Sequence, residues 1–162
     1  MLLQAKKKIA LRHVNQQFAD RKVQKGYLAI WSGVPPKQEG TLVHYLLKDQ
    51  KNKRAEAFTK PRKGAILGKL EYRVVKSNGD SSQLEIRPLS GKFHQIRVQL
   101  ASIGCPLLGD EKYGGPIGNQ PNEIALHARE LSFVDPLSEQ KETIIADLPA
   151  NNKLWEAWKD NG

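Results

Sequence analysis

Cysteine occurs once in the chain, at Cys105 among 162 residues. That excludes an intrachain disulfide and any zinc site built on several thiolates. The four histidines, His13, His44, His94 and His127, never form a close ligand pair, so neither a metal nor a cofactor is expected. Long apolar runs are missing too: no stretch approaches the roughly 20 residues that a bilayer span needs. Met1 to Lys8 place apolar side chains ahead of the lysines, the reverse of a secretory signal. A cytoplasmic protein with no membrane partner is the expectation. Repeats, low-complexity tracts and linkers are also absent, and the length suits a single domain over residues 1–162. At 39% hydrophobic and 27% charged residues, the chain is too apolar for a disordered tail.

What it has in excess is positive charge, +9 overall. Residues 1–63 hold 15 basic and 4 acidic side chains, a local +11, against +2 for residues 64–110 and −4 for residues 111–162. A basic half on a folded domain is the electrostatic footprint of a polyanion binder. An ordinary solvated surface is the competing explanation. Membrane-surface binding is disfavoured, because the lysines share no helix with an exposed apolar face.

Ala10, Val14 and Phe18 recur every four residues and predict a helix over residues 5–22. From Gln24 to Trp31 the pattern alternates as a strand, with Tyr27, Ala29 and Trp31 on one face and Leu28 and Ile30 on the other. Pro35-Pro36 breaks the chain. Thr41 to Leu47 is expected to be one or two helical turns, and Lys48 to Arg54 a charged loop. Ala55 to Thr59 and Leu67 to Ser77 read as strands. Asn78-Gly79 predicts a type I′ hairpin turn returning as Ser82 to Arg87. Phe93, Ile96, Leu100 and Ile103 form an apolar stripe on a helix closed by Gly104 and Pro106, with Arg97 at its edge. A glycine-rich loop follows to Gly118. Strands are expected over Ile124 to Phe133, with an irregularity, and over Thr143 to Ala146. Asn151 to Lys159 closes the chain as a helix.

The chemistry concentrates between Pro88 and Tyr113. Ser90-Gly91 feeds a helix N-terminus, where free N–H groups can hold a phosphate, and Lys92 and His94 flank it. Arg97, on the edge of a buried stripe, needs a strong acceptor; a structural bridge to an unassigned Asp or Glu is one reading. His94 and Cys105 could pair as base and thiol, but Cys105 lies past the helix end and reads as structural. Asp110 reads as a loop former whose carboxylate satisfies backbone N–H groups. Lys51, Lys53, Arg54, Lys60, Arg62 and Lys63 could equally track a phosphate backbone or solvate a loop.

Ser90-Gly91-Lys92-Phe93-His94-Gln95-Ile96-Arg97-Val98-Gln99-Leu100 resembles the Thr-Gly-Arg-Thr-His-Gln-Ile-Arg-Val-His-Leu signature of the RluA-type family of RNA pseudouridine synthases. The run Gly104-Cys105-Pro106-Leu107-Leu108-Gly109-Asp110-Glu111-Lys112-Tyr113-Gly114 is similar to the family's Gly-His-Pro-Ile-x-Gly-Asp-x-x-Tyr-Gly. The segment from Gln17 to Ala29 and the Leu126-His127-Ala128 segment match on either side, so the resemblance spans nearly the whole chain in order. Ser90, Lys92 and Gln99 depart from it, where the family has Thr, Arg and His. Lys92 keeps the charge and loses the planar fork.

The resemblance implies an α+β fold, a mixed and mostly antiparallel sheet flanked by helices, like the family's catalytic domain without its N-terminal portion. It implies a cofactor-free conversion of uridine to pseudouridine in ribosomal or transfer RNA, by a monomer. Tyr27 corresponds to the tyrosine that packs on the target base and Leu126 to an apolar pocket residue; a half-buried strand tyrosine and plain core are their structural readings. Arg97 corresponds to the arginine that pairs with the catalytic aspartate. That aspartate belongs to a His-Arg-Leu-Asp-x-x-Thr-Ser-Gly motif which would fall just before Met1. The 162 residues are therefore expected to be inactive alone, with Arg97 left without its carboxylate. Lys92, His94, Gln95, Lys6, Lys22, Lys25, Lys53, Arg54, Arg62 and Lys63 are the expected RNA contacts. A catalytically silent RNA-binding relative is the alternative.

Overall fold

The computed structural model describes residues 3–33, 35–118, 123–150 and 152–158. Its centre is a seven-stranded sheet in the order β3-β2-β4-β5-β1-β6-β7. The strands are β1 (Gln24–Ser32), β2 (Glu39–Asp49), β3 (Arg54–Phe58), β4 (Ile66–Ser77), β5 (Ser81–Pro88), β6 (Leu126–Val134) and β7 (Lys141–Ile145). All six pairings within this sheet are antiparallel. The expected class, α+β with helices on a sheet, holds; the mixed component does not.

Strand β1 carries the alternation its sequence predicts. Tyr27, Ala29 and Trp31 join Leu70, Tyr72, Leu84 and Ile86 in one apolar layer. Leu28 and Ile30 face the opposite layer with Leu154, Trp155 and Trp158. Gly26 pairs with Glu130 and Tyr27 with Ala128, so β6 carries one extra residue opposite this step, the expected irregularity. The register sets Tyr27 opposite Ala128, near the start of β6, and Lys25 opposite Leu131.

Thr41 to Leu47 is strand, not helix. The seven residues lie within β2, with Thr41 to Leu46 paired to β4 and Tyr45 to Leu47 paired to β3. Leu42, His44 and Leu46 turn inward while Thr41 and Val43 are exposed. Two hydrogen-bonded neighbours and β-branched residues at 41 and 43 outweigh leucine's helical preference. The β4–β5 hairpin forms as predicted, but its turn differs. The Asn78 N–H donates to the Ser81 carbonyl at 3.1 Å, leaving Gly79 and Asp80 at the centre. Only Gly79 has positive φ there, +91°, which is the type II′ pattern and not I′.

Helix α1 (Lys8–Ala19) is shorter than predicted and docks by a clamp. The Gln17 side chain donates to the Val134 carbonyl at 2.7 Å and accepts from its N–H at 2.8 Å. Helix α2 (Gln95–Ser102) lies across the Tyr27 face, burying Ile96 and Leu100. Its C-terminal end also packs Val98 and Ala101 on Leu46 and Ala55. Phe93 falls outside α2, because His94 precedes the helix in a left-handed conformation (φ +52°). Gly104, at φ +79°, ends α2 as expected. Helix α3 (Lys153–Glu156) buries Leu154 and Trp155; Asn151 and Lys159, its predicted ends, lie outside the described residues, as do Met1 and Leu2. No helix among the described residues is long and apolar enough to cross a membrane.

Candidate functional site

A cavity of ≈ 230 Å³ opens where β1, β6 and the N-terminal end of α2 meet. Tyr27 reaches it from β1, Leu126 from β6 and Arg97 from the first turn of α2, with Lys25 and the Ser90-Gly91-Lys92 loop along its rim. The three residues that the resemblance singles out as catalytic, 99 positions apart at the extremes, thus line one pocket. Burial raises the Tyr27 phenol above its ordinary pKa, so it presents a neutral ring at neutral pH.

Arg97 is not left without a carboxylate. Its Nε donates to Asp110 Oδ2 at 2.8 Å and its Nη2 to Asp110 Oδ1 at 2.7 Å. The Asp110 side chain is 0% exposed and that of Arg97 16%. The pair is therefore a planar fork sealed behind the pocket wall. Asp110 is not the loop former expected of its carboxylate. Its backbone alone ties the loop, accepting from Tyr113 and Gly115 and donating to Leu107. This frees both carboxylate oxygens for Arg97. The structural bridge left open for Arg97 now has its partner.

His94 completes the constellation. Its Nε2 lies 3.3 Å from Arg97 Nη1 and its Nδ1 2.9 Å from the Tyr113 hydroxyl. Because a guanidinium only donates, Nε2 must accept and Nδ1 carries the proton. The Tyr113 oxygen also accepts from the Ala55 N–H at 2.7 Å. Burial, then the Arg97 and Lys112 charges, hold the imidazole below its ordinary pKa, with Asp110 opposing. A neutral Nδ1–H tautomer satisfies every one of these contacts. The guanidinium has five N–H groups: two go to Asp110 and one to His94, leaving two for a further acceptor.

The expected RNA contacts divide. Lys25 and Lys92 stand at the cavity. Arg54 lies over the Tyr113 ring, 5.7 Å from its centroid, and Lys53 accepts Lys112 Nζ at its carbonyl. Arg62 lies over Phe58, and Lys63 is exposed beside it. Lys6 and Lys22 are exposed and line no part of this cavity. Gln95 is not a free contact: its Oε1 accepts from Ser90 Oγ and the Lys92 N–H, and its Nε2 donates to the Lys69 carbonyl. It braces the loop that leads into α2. His94 likewise has both ring nitrogens engaged inside the chain. The pairing of His94 with Cys105 does not form. Cys105 is in the apolar layer, its Sγ 3.6 Å from the Ile103 carbonyl, and burial raises its thiol pKa.

Sequence reasoning missed two cations. Arg21 and Arg87 line a larger cavity of ≈ 530 Å³ that shares Lys25, Pro88, Ser90 and Gly91 with the first. Arg21 stands within the matched run before β1 and could have been found there. Arg87, the outward residue of a strand end, carries no such signal.

A family model described as RNA pseudouridylate synthase matches residues 1–102. An uncharacterized RNA pseudouridine synthase of Chlorobaculum parvum is 34% identical, over 95% of this chain and 52% of its own length. Ribosomal large subunit pseudouridine synthase C of Vibrio cholerae is 32% identical, over 93% of this chain and 49% of its own. The chain spans about half the length of the curated relatives it matches. Among solved structures, human RNA pseudouridylate synthase domain containing 4 aligns with TM-score 0.70 at 25% identity, over 89% of this chain and 65% of that one. Human RNA pseudouridylate synthase domain containing 1 has the same fold, at TM-score 0.73 and 24% identity over 90% and 62%.

Proposed function

Because the chain belongs to the RNA pseudouridylate synthase family, we propose that its cavity receives a uracil extruded from RNA and positions it for isomerisation to pseudouridine. The observation that carries this reading is the convergence of Tyr27, Leu126 and Arg97 on one pocket rimmed by Lys25 and Lys92. An extruded base needs a stacking face and apolar walls to offset the few kcal/mol of unstacking. Tyr27 and Leu126 supply them, and the rim lysines meet the phosphates on either side of the base.

In the reaction the N1–C1′ bond of uridine breaks and a C5–C1′ bond forms; C5 loses its proton to solvent and N1 gains one. Among the described residues none that lines the cavity is a carboxylate, and both oxygens of Asp110 are held behind Arg97. The catalytic carboxylate is therefore assigned to the family's His-Arg-Leu-Asp motif, which residues 1–162 do not contain. The two unused N–H groups of Arg97 would hold it ionised and oriented, since an opposite charge at about 4–6 Å lowers a carboxyl pKa. The same reading takes the protein as a cytoplasmic monomer, a single domain over these residues, acting on ribosomal or transfer RNA. A second reading is an RNA-binding relative without catalysis, whose support is the Lys25 and Lys92 rim, since that rim serves binding with or without turnover.

Tritium release from RNA carrying 5-tritiated uridine separates the two. Residues 1–162 alone should bind RNA and release nothing. The same residues preceded in frame by the motif should release tritium, and Arg97→Met should then lower turnover by orders of magnitude while RNA affinity stays within about twofold. Binding should weaken with salt, each neutralised phosphate adding about −0.7 to −0.9 to the slope of log K against log salt. Equal release by the short and extended chains would overturn the assignment of the carboxylate. No release by the extended chain, with RNA binding intact, would favour the silent relative.

A further inference from the structure

Phe93 stands at the site's edge and belongs to none of the three apolar clusters of the fold. It is 39% exposed. One face of its ring lies on the His94 imidazole, with centroids 3.9 Å apart and planes 17° from parallel. The Lys48 ammonium also lies over the ring, 4.8 Å from its centroid. His94 is itself fixed by Tyr113 and Arg97 and lines the cavity. The exposed ring is thus one stacking distance from the pocket wall and rigidly backed. The signature quoted above has threonine at this position, so the ring is a feature of this chain.

Its surroundings are cationic. Lys92 precedes it at the cavity rim and Lys48 covers its face. Arg54 lies over the neighbouring Tyr113, and Lys112 is near enough to His94 to lower its pKa. An exposed, backed aromatic face among several cations matches a ligand with both flat π-systems and negative charge. Single-stranded nucleic acid has both, since stacking platforms interleaved with basic residues are how bases and backbone are held together.

We propose that Phe93 is a stacking platform for the nucleobase adjacent to the extruded uridine, with Lys48 moving off the ring to that nucleotide's phosphate. This rests on the reading of the cavity as a uracil pocket. It makes the substrate a strand unpaired over at least two consecutive nucleotides.

The test uses a ten-residue oligouridylate and an abasic ribose-phosphate oligomer of equal charge. Phe93→Ala should bind oligouridylate about 5- to 100-fold more weakly, with the salt slope unchanged because no phosphate contact is removed. Phe93→Leu, which keeps an apolar contact with His94 but no π-face, should weaken binding similarly. Phe93→Trp should bind within about twofold of the parent. Its indole is readable because Trp31, Trp155 and Trp158 are at most 5% exposed. Oligouridylate should quench the red-shifted emission of this indole, and the abasic oligomer should not. Unchanged affinity of Phe93→Ala, or equal quenching by the abasic oligomer, would overturn the platform while leaving the uracil pocket standing. Failure of the parent chain to bind oligouridylate at low salt would overturn both.

Discussion

Removing one partner of the Arg97–Asp110 pair should be among the most damaging single changes available in this fold, and removing both should be far milder. Asp110 has 0% side-chain exposure and Arg97 16%. Either charge left alone would stay in a poorly hydrated place. The loop cannot swing Asp110 out to water, because its backbone is pinned to Leu107, Tyr113 and Gly115 at 2.8–3.1 Å. Uncompensated charges of this kind cost about 3–5 kcal/mol. With a urea m-value of about 2 kcal/mol/M, Arg97→Met or Asp110→Leu should lower the unfolding midpoint by about 1.5–2.5 M. Arg97→Lys keeps the charge and loses the two-point fork, and should cost about 1–2 kcal/mol.

The double variant Arg97→Met/Asp110→Leu leaves no orphaned charge, and neither Asp110 oxygen supports the loop backbone. Its midpoint should return to within about 0.5 M of the parent, since an apolar pair can replace a buried ion pair at little cost. The coupling energy of the cycle should then be at least about 5 kcal/mol, from two single losses of about 3 kcal/mol or more and a double loss of about 1 or less. The measurement is equilibrium urea unfolding followed by tryptophan emission, with m-values compared to confirm a common two-state transition. Additive single-variant losses would refute the reasoning, because the pair would then be acting as two independent surface charges.

His94 and His44 both have pKa values held below the ordinary 6.5, chiefly by burial. Protons thus bind the unfolded chain more readily, and stability should be full above about pH 6.5 and fall as pH drops toward the folded values; His94→Gln should flatten that fall in thermal melts from pH 7.5 to 5, and an unchanged slope in both His94→Gln and His44→Gln would contradict it. Gly109 has φ +80°, and a Cβ there would sit 1.8 Å from the Glu123 carbonyl oxygen. Gly109→Ala should therefore cost more than the ~1 kcal/mol of ordinary left-handed strain and lower the thermal midpoint by more than about 4 °C, whereas Gly79→Ala, with nothing within 4 Å of its Cβ, should cost only the strain.

Where one face of an element is buried and the other wet, its sequence could be read directly. In β1 the two faces go to different clusters, so its period of two is clean. Strand β2 defeated the same reasoning because both faces are partly covered along Tyr45 to Leu47. The result is a nearly continuous apolar run, which periodicity cannot tell from a short helix. The buried His44 within it further masked the alternation; its place depends on Gln99 Nε2, 3.1 Å away on α2, and not on any neighbour in sequence. Spacing alone puts Phe93 in the α2 stripe. The left-handed His94 starts the helix two residues later and turns the ring out of that stripe. The pocket residues Tyr27, Leu126 and Arg97 were legible only through the resemblance, because three positions on three elements have no shared local pattern.

The partner of Arg97 shows why the site resisted reading more than the fold did. Asp110 and Arg97 are 13 residues apart across a helix end and a glycine-rich loop, a separation that no periodic rule connects. What brings them together is the placement of the loop. Leu107 bridges to Trp31, and the Leu108 N–H donates to the Ile30 carbonyl at 2.9 Å. The loop is thereby fastened to the same strand that carries Tyr27. Tyr113, three residues on from Asp110, then fixes His94 from the other side and takes the Ala55 N–H of the edge strand. Strand β1 positions the cavity's tyrosine directly and the guanidinium indirectly, through a loop whose carboxylate it anchors. A change in the Trp31–Leu107 contact should consequently be felt at Arg97 before it is felt at Tyr27, because Arg97 depends on that loop while Tyr27 is held by sheet bonds to Ile86 and Ala128.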